Sequence, residues 1–218
     1  MASAGSAAGS AGEPMPQPLT RRSQLKADRR HQLLDAAAHL VAERGFHGVR
    51  LEDLGAAVGI SGPAVYRHFS NKEAVLVELL VGISEHLQSG GEDVVRSSTS
   101  PVDAVRGLVD FHLDFALTSP GLISVQGRDL ANLPPTARGR VRRLQRLYVE
   151  LWVQVLCSAD SGRTEDTARV QAHAAFGLLN STPHSTGRVP DAAMKAVLSR
   201  MALSALAIDV RNDSRETA

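Results

Sequence analysis

The chain has 218 residues and a net charge of +1, so a preference for nucleic acid would have to come from local clusters of basic residues. Hydrophobic residues make up 43% of the sequence and aromatic residues only 4%, which favours a helical core of aliphatic side chains. The single cysteine, Cys157, excludes an intrachain disulfide and indicates a reducing compartment. The sequence shows neither a membrane-spanning apolar run nor the apolar core of a signal peptide, so we expect a soluble, cytoplasmic protein.

Both ends of the sequence are predicted to lie outside the folded part. Residues 1–20 are mostly small residues and prolines, which cannot bury enough apolar area to offset the entropy lost on ordering. We therefore expect a disordered tail over 1–20 and a frayed, polar tail over 211–218.

Two helices are predicted in the stretch that begins at Arg21. The first has apolar residues at helical spacing, namely Leu33, Leu34, Ala37, Leu40 and Val41. Gly45 is a typical C-terminal stop for it. A second, shorter face is formed by Leu51, Leu54 and Val58. Gly59 then supplies a tight turn, because glycine reaches left-handed backbone angles without steric cost.

A third short helix follows this turn. Ser61 is a typical N-cap and Pro63 falls in the first turn, where its missing N–H is harmless, so a helix is predicted over 64–69. Two short helices joined by a glycine turn, with a longer helix before them, are typical of a helix-turn-helix unit. The start of the third helix would then enter the major groove. Three of its side chains would lie near phosphates and base edges: Tyr66, Arg67 and His68.

A fourth helix is predicted to start with a capping box. Ser70 is its expected cap and Glu73 stands three residues later, as in the pattern "SNKE". We expect this helix to run to about Leu87 and to be ended by Gly90 and Gly91.

Positive charge is concentrated in the same segment. Between Arg21 and Lys72 there are nine basic residues and five acidic ones, an excess larger than the net charge of the whole chain. A docking surface for the phosphate backbone is therefore expected here. Four arginines before or at the start of the first helix are predicted to track phosphates or to reach into a minor groove as an arm: Arg21, Arg22, Arg29 and Arg30. The alternative from the pattern alone is an ordinary helical bundle with a tight turn.

The segment from Leu33 to Leu80, with "GISGPAVYRHF" at its centre, resembles the DNA-binding domain of the tetracycline-repressor (TetR) family. The resemblance implies an all-α protein in which a three-helix DNA-binding domain is joined through helix four to a helical domain for ligand binding and dimerisation. The domain boundaries expected from it are 21–70 and 71–210. It also implies a homodimeric transcriptional repressor that leaves a pseudo-palindromic operator when a small molecule binds.

The resemblance also implies which residues contact DNA. Carried over together with the basic residues nearby, they are Arg29, Arg50, Ser61, Gly62, Pro63, Tyr66, Arg67, His68 and Lys72. Two positions depart from the family pattern. Arg50 stands where a Ser or Thr cap is usual, which puts that cap in doubt and allows a phosphate contact instead. Gly55 stands where alanine is usual, and we expect it to let the third helix pack closely.

The second half of the chain is predicted to form further helices. We expect one that Pro120 breaks, a short helix or turn over 121–130, and long helices over 137–156, 165–181 and 191–208. The resemblance implies that the last two pack against those of a second subunit. Small and apolar residues agree with this: Ala172, Ala174, Ala175, Gly177, Ala193, Met194, Val197, Leu198, Met201, Ala202 and Ala205. The alternative is that these faces pack only within one chain.

The sequence gives little support for an enzyme. The eight histidines form no pair at metal-ligand spacing, no glycine-rich phosphate loop is present, and Cys157 lacks a catalytic partner pattern. We therefore predict no enzyme, no metal and no cofactor. A helical protein-interaction module without DNA binding is the alternative from another class, although it would not need the basic cluster or the "GISGPAVYRHF" segment.

The effector is predicted only in outline. Candidate pocket residues are the aromatic and polar side chains on helices that line the cavity in relatives: Phe111, His112, Phe115, Tyr148, Trp152, His173, Phe176 and Asn180. For each of them, core packing is the competing explanation. Five arginines open the helix over 137–156 and form either a solvated face or a site for the phosphates of an acyl-CoA: Arg138, Arg140, Arg142, Arg143 and Arg146. A sensor of uncharged lipophilic compounds that controls efflux is the alternative.

Overall fold

The computed structural model describes residues 21–185, 187 and 189–208, and the predicted tails over 1–20 and 211–218 lie outside them. Within this range all regular secondary structure is helical, as predicted. The α-helices are α1 (Arg21–Arg44), α2 (Leu51–Ala57), α3 (Gly62–Val65), α4 (Lys72–Ser97), α5 (Pro101–Thr118), α6 (Pro120–Asp129), α7 (Pro135–Ala159), α8 (Glu165–Leu179) and α9 (Asp191–Ala205).

Glycine controls the geometry of the first three helices. Gly45 (φ 75°) follows the end of α1 and Gly59 (φ 70°) forms the turn before α3, which confirms both predictions. A Cβ atom at Gly55 would lie 2.8 Å from the carbonyl oxygen of Ile60 and 2.9 Å from Cγ2 of Val65. The expectation that Gly55 permits close packing of α3 is therefore confirmed.

Helix α3 differs from its predicted range of 64–69. It begins at Gly62, and the chain continues after Val65 as turns in which the His68 N–H donates to the Val65 carbonyl at 2.8 Å. Ser61 occupies the N-cap position, but its side chain makes no capping bond; its carbonyl accepts from the Ala64 N–H at 2.9 Å instead.

Helix α4 differs from its prediction at both ends. Its cap is Asn71, whose Oδ1 accepts from the Ala74 N–H at 2.8 Å, and not Ser70. The helix continues to Ser97, so the prediction that Gly90 and Gly91 end it is wrong. A Cβ atom at Gly90 would lie 2.3 Å from Cζ of Phe111, and one at Gly91 would lie 2.6 Å from a ring carbon of Tyr148. These glycines are sites of close helix packing.

The remaining helices follow the expected pattern with small shifts. The Ser100 hydroxyl caps α5, and Pro120 breaks the chain between α5 and α6, where it occupies the first turn of α6. The segment over 121–130 is therefore a helix for most of its length. Helices α7, α8 and α9 begin or end within a few residues of their predicted bounds, which is the usual uncertainty of helix ends.

Two arginines connect the first three helices to the rest of the molecule through hydrogen bonds and an ion pair. Arg30 of α1 forms an ion pair with Glu78 of α4, donates to the His68 carbonyl, and lies 4.1 Å from the centre of the Phe69 ring. Arg128 of α6 donates to the Val41 carbonyl at the end of α1. One continuous hydrophobic core runs through both halves of the chain.

Candidate DNA interface and effector site

The start of α3 and the turn after it lie on the surface. Ser61, Pro63 and Arg67 are exposed and the Tyr66 side chain is 52% exposed, while Gly62 is half-buried. The short turn at Gly59 positions this segment, because α3 must return across α2 and present its first residues to solvent. These residues form an exposed edge that can enter a groove.

The hydroxyl of Tyr66 already has an acceptor. It donates to Oε1 of Glu52 on α2 at 3.2 Å, and the negative charge of Glu52 raises the pKa of the phenol. The phenol therefore stays protonated and can donate to a phosphate oxygen once Glu52 moves aside. Glu52 was not among the residues predicted from the sequence to form the DNA interface, because it lies fourteen positions before Tyr66.

Arg50 leaves its side chain available at the start of α2. It occupies the N-cap position without a side-chain capping bond, and Asp53 compensates by accepting the Arg50 backbone N–H at 2.8 Å. The guanidinium is exposed and has no recorded partner among the described residues. The departure from the family pattern thus moves the capping function to Asp53.

Three other candidate DNA contacts are turned partly inward. Arg29 donates to Gln32 at 2.8 Å and to the Val58 carbonyl at 3.1 Å. Lys72 donates to the Phe46 carbonyl at 3.3 Å and lies over the Phe46 ring. The Nδ1 atom of His68 is buried without a partner, and burial, followed by nearby basic residues, lowers its pKa. His68 is half-buried as a whole, so its predicted contact with DNA stays a prediction.

The predicted arginine arm is corrected as well. Arg21, Arg22, Arg29 and Arg30 all lie within α1, which begins at Arg21. Arg30 forms an ion pair with Glu78, whereas Arg21 and Arg22 are exposed on the first turn of α1. The chain before Arg21 lies outside the described residues.

Five of the eight candidate effector residues form a packed cluster. His112 is 3% exposed; its Nε2 lies 2.9 Å from Oδ1 of Asn180 and its Nδ1 lies 3.3 Å from the hydroxyl of Tyr148. This geometry fits a neutral imidazole that donates through Nε2 and accepts through Nδ1. Burial lowers the pKa of His112 to about 4 and raises that of Tyr148.

Trp152 and Phe176 complete the cluster. Trp152 is fully buried, and its ring centre lies 4.9 Å from that of Phe176 and 6.4 Å from that of His112. Its Nε1 atom has no acceptor in hydrogen-bond geometry among the described residues, although Tyr148 lies beside it. These side chains fill the space between α5, α7 and α8 with one another, so they form a core rather than an open pocket.

The other three candidates differ from this cluster. Phe111 and Phe115 line an open cleft of about 710 Å³ between α1, α4, α5 and α6. His173 is exposed on α8, because the buried face of that helix contains Ala172 and Ala175 and position 173 points about 100° away from Ala172. The prediction that His173 faces a pocket is not supported by its placement.

The arginines of α7 remain largely free. Arg140 forms an ion pair with Glu85 of α4. The other four have no recorded partner in the described part of the chain: Arg138, Arg142, Arg143 and Arg146. Elsewhere in the second half most basic side chains are paired, for example Arg169 with Glu150 and Lys195 with Asp114. Helix α7 thus carries a concentrated unpaired positive charge.

The structure divides the predicted dimerisation residues into a buried group, an exposed group and one half-buried residue, Leu198, which packs against the core. Some are buried within the chain and pack its own core: Ala172, Ala175, Met194 and Ala202. Others are exposed on α8 and α9: Ala174, Gly177, Ala193, Val197, Met201 and Ala205. Val170, which the sequence reading did not include, is 70% exposed beside them. The exposed group forms an apolar strip on two neighbouring helices.

The described residues contain neither a metal site nor a membrane-spanning helix. No group of three or more His, Cys, Asp or Glu side chains there is placed to hold a metal ion. Among the helices that the structure describes, none combines the length and the apolar character needed to span a membrane.

A short exposed helix presented by two supporting helices, and joined to a larger helical domain, defines a helix-turn-helix regulator of transcription. Comparison with known proteins agrees. The family model "Bacterial regulatory proteins, tetR family" matches residues 33–79, and "Tetracyclin repressor-like, C-terminal domain" matches residues 98–206. The chain belongs to the tetR family of bacterial regulators, which confirms the resemblance.

Individual relatives show how far the similarity extends. The chain is 28% identical over 160 residues to the transcriptional repressor KstR2 of Rhodococcus jostii, covering 72% of this chain and 77% of that protein. Several further curated relatives are matched over less than half of their own length.

Two solved structures share the fold. A TetR-family regulator of Bordetella parapertussis has a TM-score of 0.71 and 23% identity, with 80% of this chain and 93% of that chain covered. AibR in complex with isovaleryl coenzyme A and operator DNA has a TM-score of 0.66 and 19% identity, with 79% and 97% covered.

Proposed function

We propose that the chain is a homodimeric repressor that binds a pseudo-palindromic operator and leaves it when a small molecule binds. The observation that carries this is the exposed start of α3, together with the exposed side chains of Arg50 and Arg67, which have no ion-pair partner among the described residues. In the bound state, Ser61, Gly62 and Pro63 face the base edges. Arg50, Tyr66, Arg67 and Lys72 contact phosphates, and these contacts fix the position of α3 in the groove.

The exposed strip on α8 and α9 supports the homodimer. Val170, Val197 and Met201 are 45–70% exposed. Exposure of several apolar side chains on adjacent helices is unfavourable in water, and it indicates that a second protein surface covers them. A Cβ atom at Gly177 would have no neighbour within 4 Å inside the chain, which leaves room for the approach of a partner helix. A twofold axis through this strip would relate the two copies of α3, as the two half-sites of a pseudo-palindromic operator require.

An acyl-CoA is the effector that we propose, with the unpaired arginines of α7 as the site for its phosphate groups. Four guanidinium groups without carboxylate partners provide the charge that several phosphates require. The fold neighbour AibR was solved with isovaleryl coenzyme A, which supports this class of molecule. Release requires that the effector bind better to the dimer state in which the two α3 helices no longer match the groove spacing.

DNA binding is tested with a fluorescent duplex that contains the region upstream of the chain's own gene. Arg67→Ala should weaken binding at least about tenfold, as expected for the loss of a charged DNA contact. Arg96→Ala is the matched control, because Arg96 is exposed near the far end of α4 and pairs only with Asp93. Equal affinities of the two variants would contradict the proposed interface.

The effector is tested by adding isovaleryl-CoA, or isovaleric acid as control, to the DNA complex. We expect release by the CoA thioester alone. The double variant Arg142→Ala/Arg143→Ala should bind DNA normally and need a higher thioester concentration. Release by the free acid at the same concentration would show that the phosphate groups are not needed, and the arginines of α7 would then not belong to the effector site. Release by an uncharged lipophilic compound and not by the thioester would favour the alternative of a sensor that controls efflux.

A further inference from the structure

The open cleft between the two halves of the molecule has the size of a small-molecule site. Its volume is about 710 Å³, and its walls come from α1, α4, α5 and α6. Ligand pockets commonly measure about 300–1,000 Å³. The cleft is separate from the packed cluster around His112 and from the arginines of α7, none of which line it.

Apolar side chains form the floor of this cleft. They are Leu34, Leu79, Ile83, Phe111, Phe115 and Leu122. The ring of His86 lies 5.4 Å from that of Phe111 and 6.0 Å from that of Phe115, so one wall is aromatic. A molecule that binds here would bury a mainly lipophilic surface, and a positive charge on it would meet the electron-rich faces of aromatic rings.

The polar lining of the cleft consists of carboxylates, two histidines and two hydroxyl groups, the last four from His31, His86, Thr118 and Ser119. Three carboxylates line it, from Asp35, Glu78 and Asp114, whereas no lysine or arginine does. Arg30 and Lys195 pair with Glu78 and Asp114 from outside the lining. Asp35 is exposed and has no recorded partner among the described residues, so one negative charge remains uncompensated. This charge attracts a cation and repels the phosphates of a coenzyme A.

Gly82 keeps part of the cleft open. It lies on α4 between Leu79 and Ile83, and a Cβ atom there would have no neighbour within 4 Å. Glycine in a helix interior is unfavourable compared with alanine, and packing explains it at Gly90 and Gly91 but not at Gly82. The space above Gly82 is therefore available to a bound molecule.

We infer that this cleft binds a lipophilic organic cation with a single delocalised or quaternary positive charge. The charge lies near Asp35 and the aromatic wall, and the apolar groups lie on the floor above Gly82. Such a molecule touches α1, α4, α5 and α6 at once, so it fixes the position of the DNA-binding helices against the rest of the chain. Its effect on DNA rests on the proposed function, whereas the binding itself does not.

The test compares two ions of nearly equal shape and opposite charge, tetraphenylphosphonium and tetraphenylborate. Isothermal titration calorimetry with the full chain should show that the phosphonium binds at least about tenfold more tightly. Asp35→Asn should reduce this preference several-fold. Absence of phosphonium binding would overturn the site, and equal binding of the two ions would overturn its charge selectivity.

Two glycine variants test the location. Gly82→Leu places a side chain in the cleft at a position where an added Cβ atom has no neighbour within 4 Å, and it should abolish phosphonium binding. Gly127→Leu is the matched control, because Gly127 is an exposed helical glycine without neighbours within 4 Å and does not line the cleft. Circular dichroism confirms that both variants fold. If Gly82→Leu binds like the control, the site lies elsewhere, whatever the DNA-binding assays show.

Discussion

Protonation of His112 should govern how the stability of this chain responds to mild acid. The imidazole is hydrogen-bonded to Asn180 and Tyr148 inside the core, and burial lowers its pKa from 6.5 to about 4, although the bond to Asn180 acts in the opposite direction. In the unfolded chain the same group takes up a proton below about pH 6.5. Between these two values the unfolded state therefore binds more protons than the folded state, and stability falls as the pH drops.

The size of the effect follows from the two pKa values. Each tenfold difference in proton affinity corresponds to about 1.4 kcal/mol, so the full interval amounts to roughly 3 kcal/mol of unfolding free energy. Most of it, about 2 kcal/mol, is lost between about pH 7.5 and pH 5. This is a large share of the stability of a domain, which is about 5–15 kcal/mol.

Urea unfolding at these two pH values, followed by the emission of Trp152, measures the loss. Trp152 is the only tryptophan and lies in the same cluster. His112→Gln keeps a neutral polar side chain and should be less stable at neutral pH, but it should lack the loss of about 2 kcal/mol on acidification. His173→Gln, which removes an exposed imidazole, is the matched control and should follow the unmodified chain. An equal acid response in His112→Gln and the unmodified chain would refute the reasoning.

Three further substitutions test the DNA-binding half. Lys72→Ala should reduce the slope of log affinity against log salt by about 0.9, the value for one phosphate contact, in anisotropy titrations; an unchanged slope removes Lys72 from the interface. Tyr66→Phe should weaken binding to all sequences alike, and a changed operator preference would assign it to base reading instead. Gly55→Ala should lower the unfolding free energy by about 1 kcal/mol, because overpacking against the Ile60 carbonyl outweighs the gain in helix propensity; an unchanged urea midpoint would contradict this.

The features that the sequence predicted well depend on neighbours along the chain. Gly45 and Gly59 mark their turns because a positive φ is a local requirement, and the spacing of Leu33, Ala37 and Val41 marks the buried face of α1. The end of α4 was predicted wrongly for the opposite reason. At Gly90 and Gly91 the same residue type serves contacts with α5 and α7, which no local pattern encodes.

The effector residues show the same limit. Their residue types were right for a cluster between helices, but whether such a cluster encloses space depends on how completely the rings pack. The cleft itself joins Asp35, Gly82 and Asp114, which come from three helices far apart in sequence. Phe111 and Phe115, which line the cleft, were predicted as effector residues, and Gly82 was a further signal, since it interrupts a regular helix where no cap or turn is needed.

Helix α4 belongs to both halves of the molecule, and this gives Gly82 its importance. Before Gly82, the side chains of Val75 and Leu79 pack with the first three helices, and after it Gly91 is held against Tyr148 of α7. The two ends of α4 therefore pack against different parts of the one continuous core. Glycine without packing neighbours is where a helix bends at least cost, so a bend at Gly82 turns the DNA-binding helices while the packing at each end of α4 is kept. The cleft that Gly82 lines is the place where a bound molecule acts on that bend most directly.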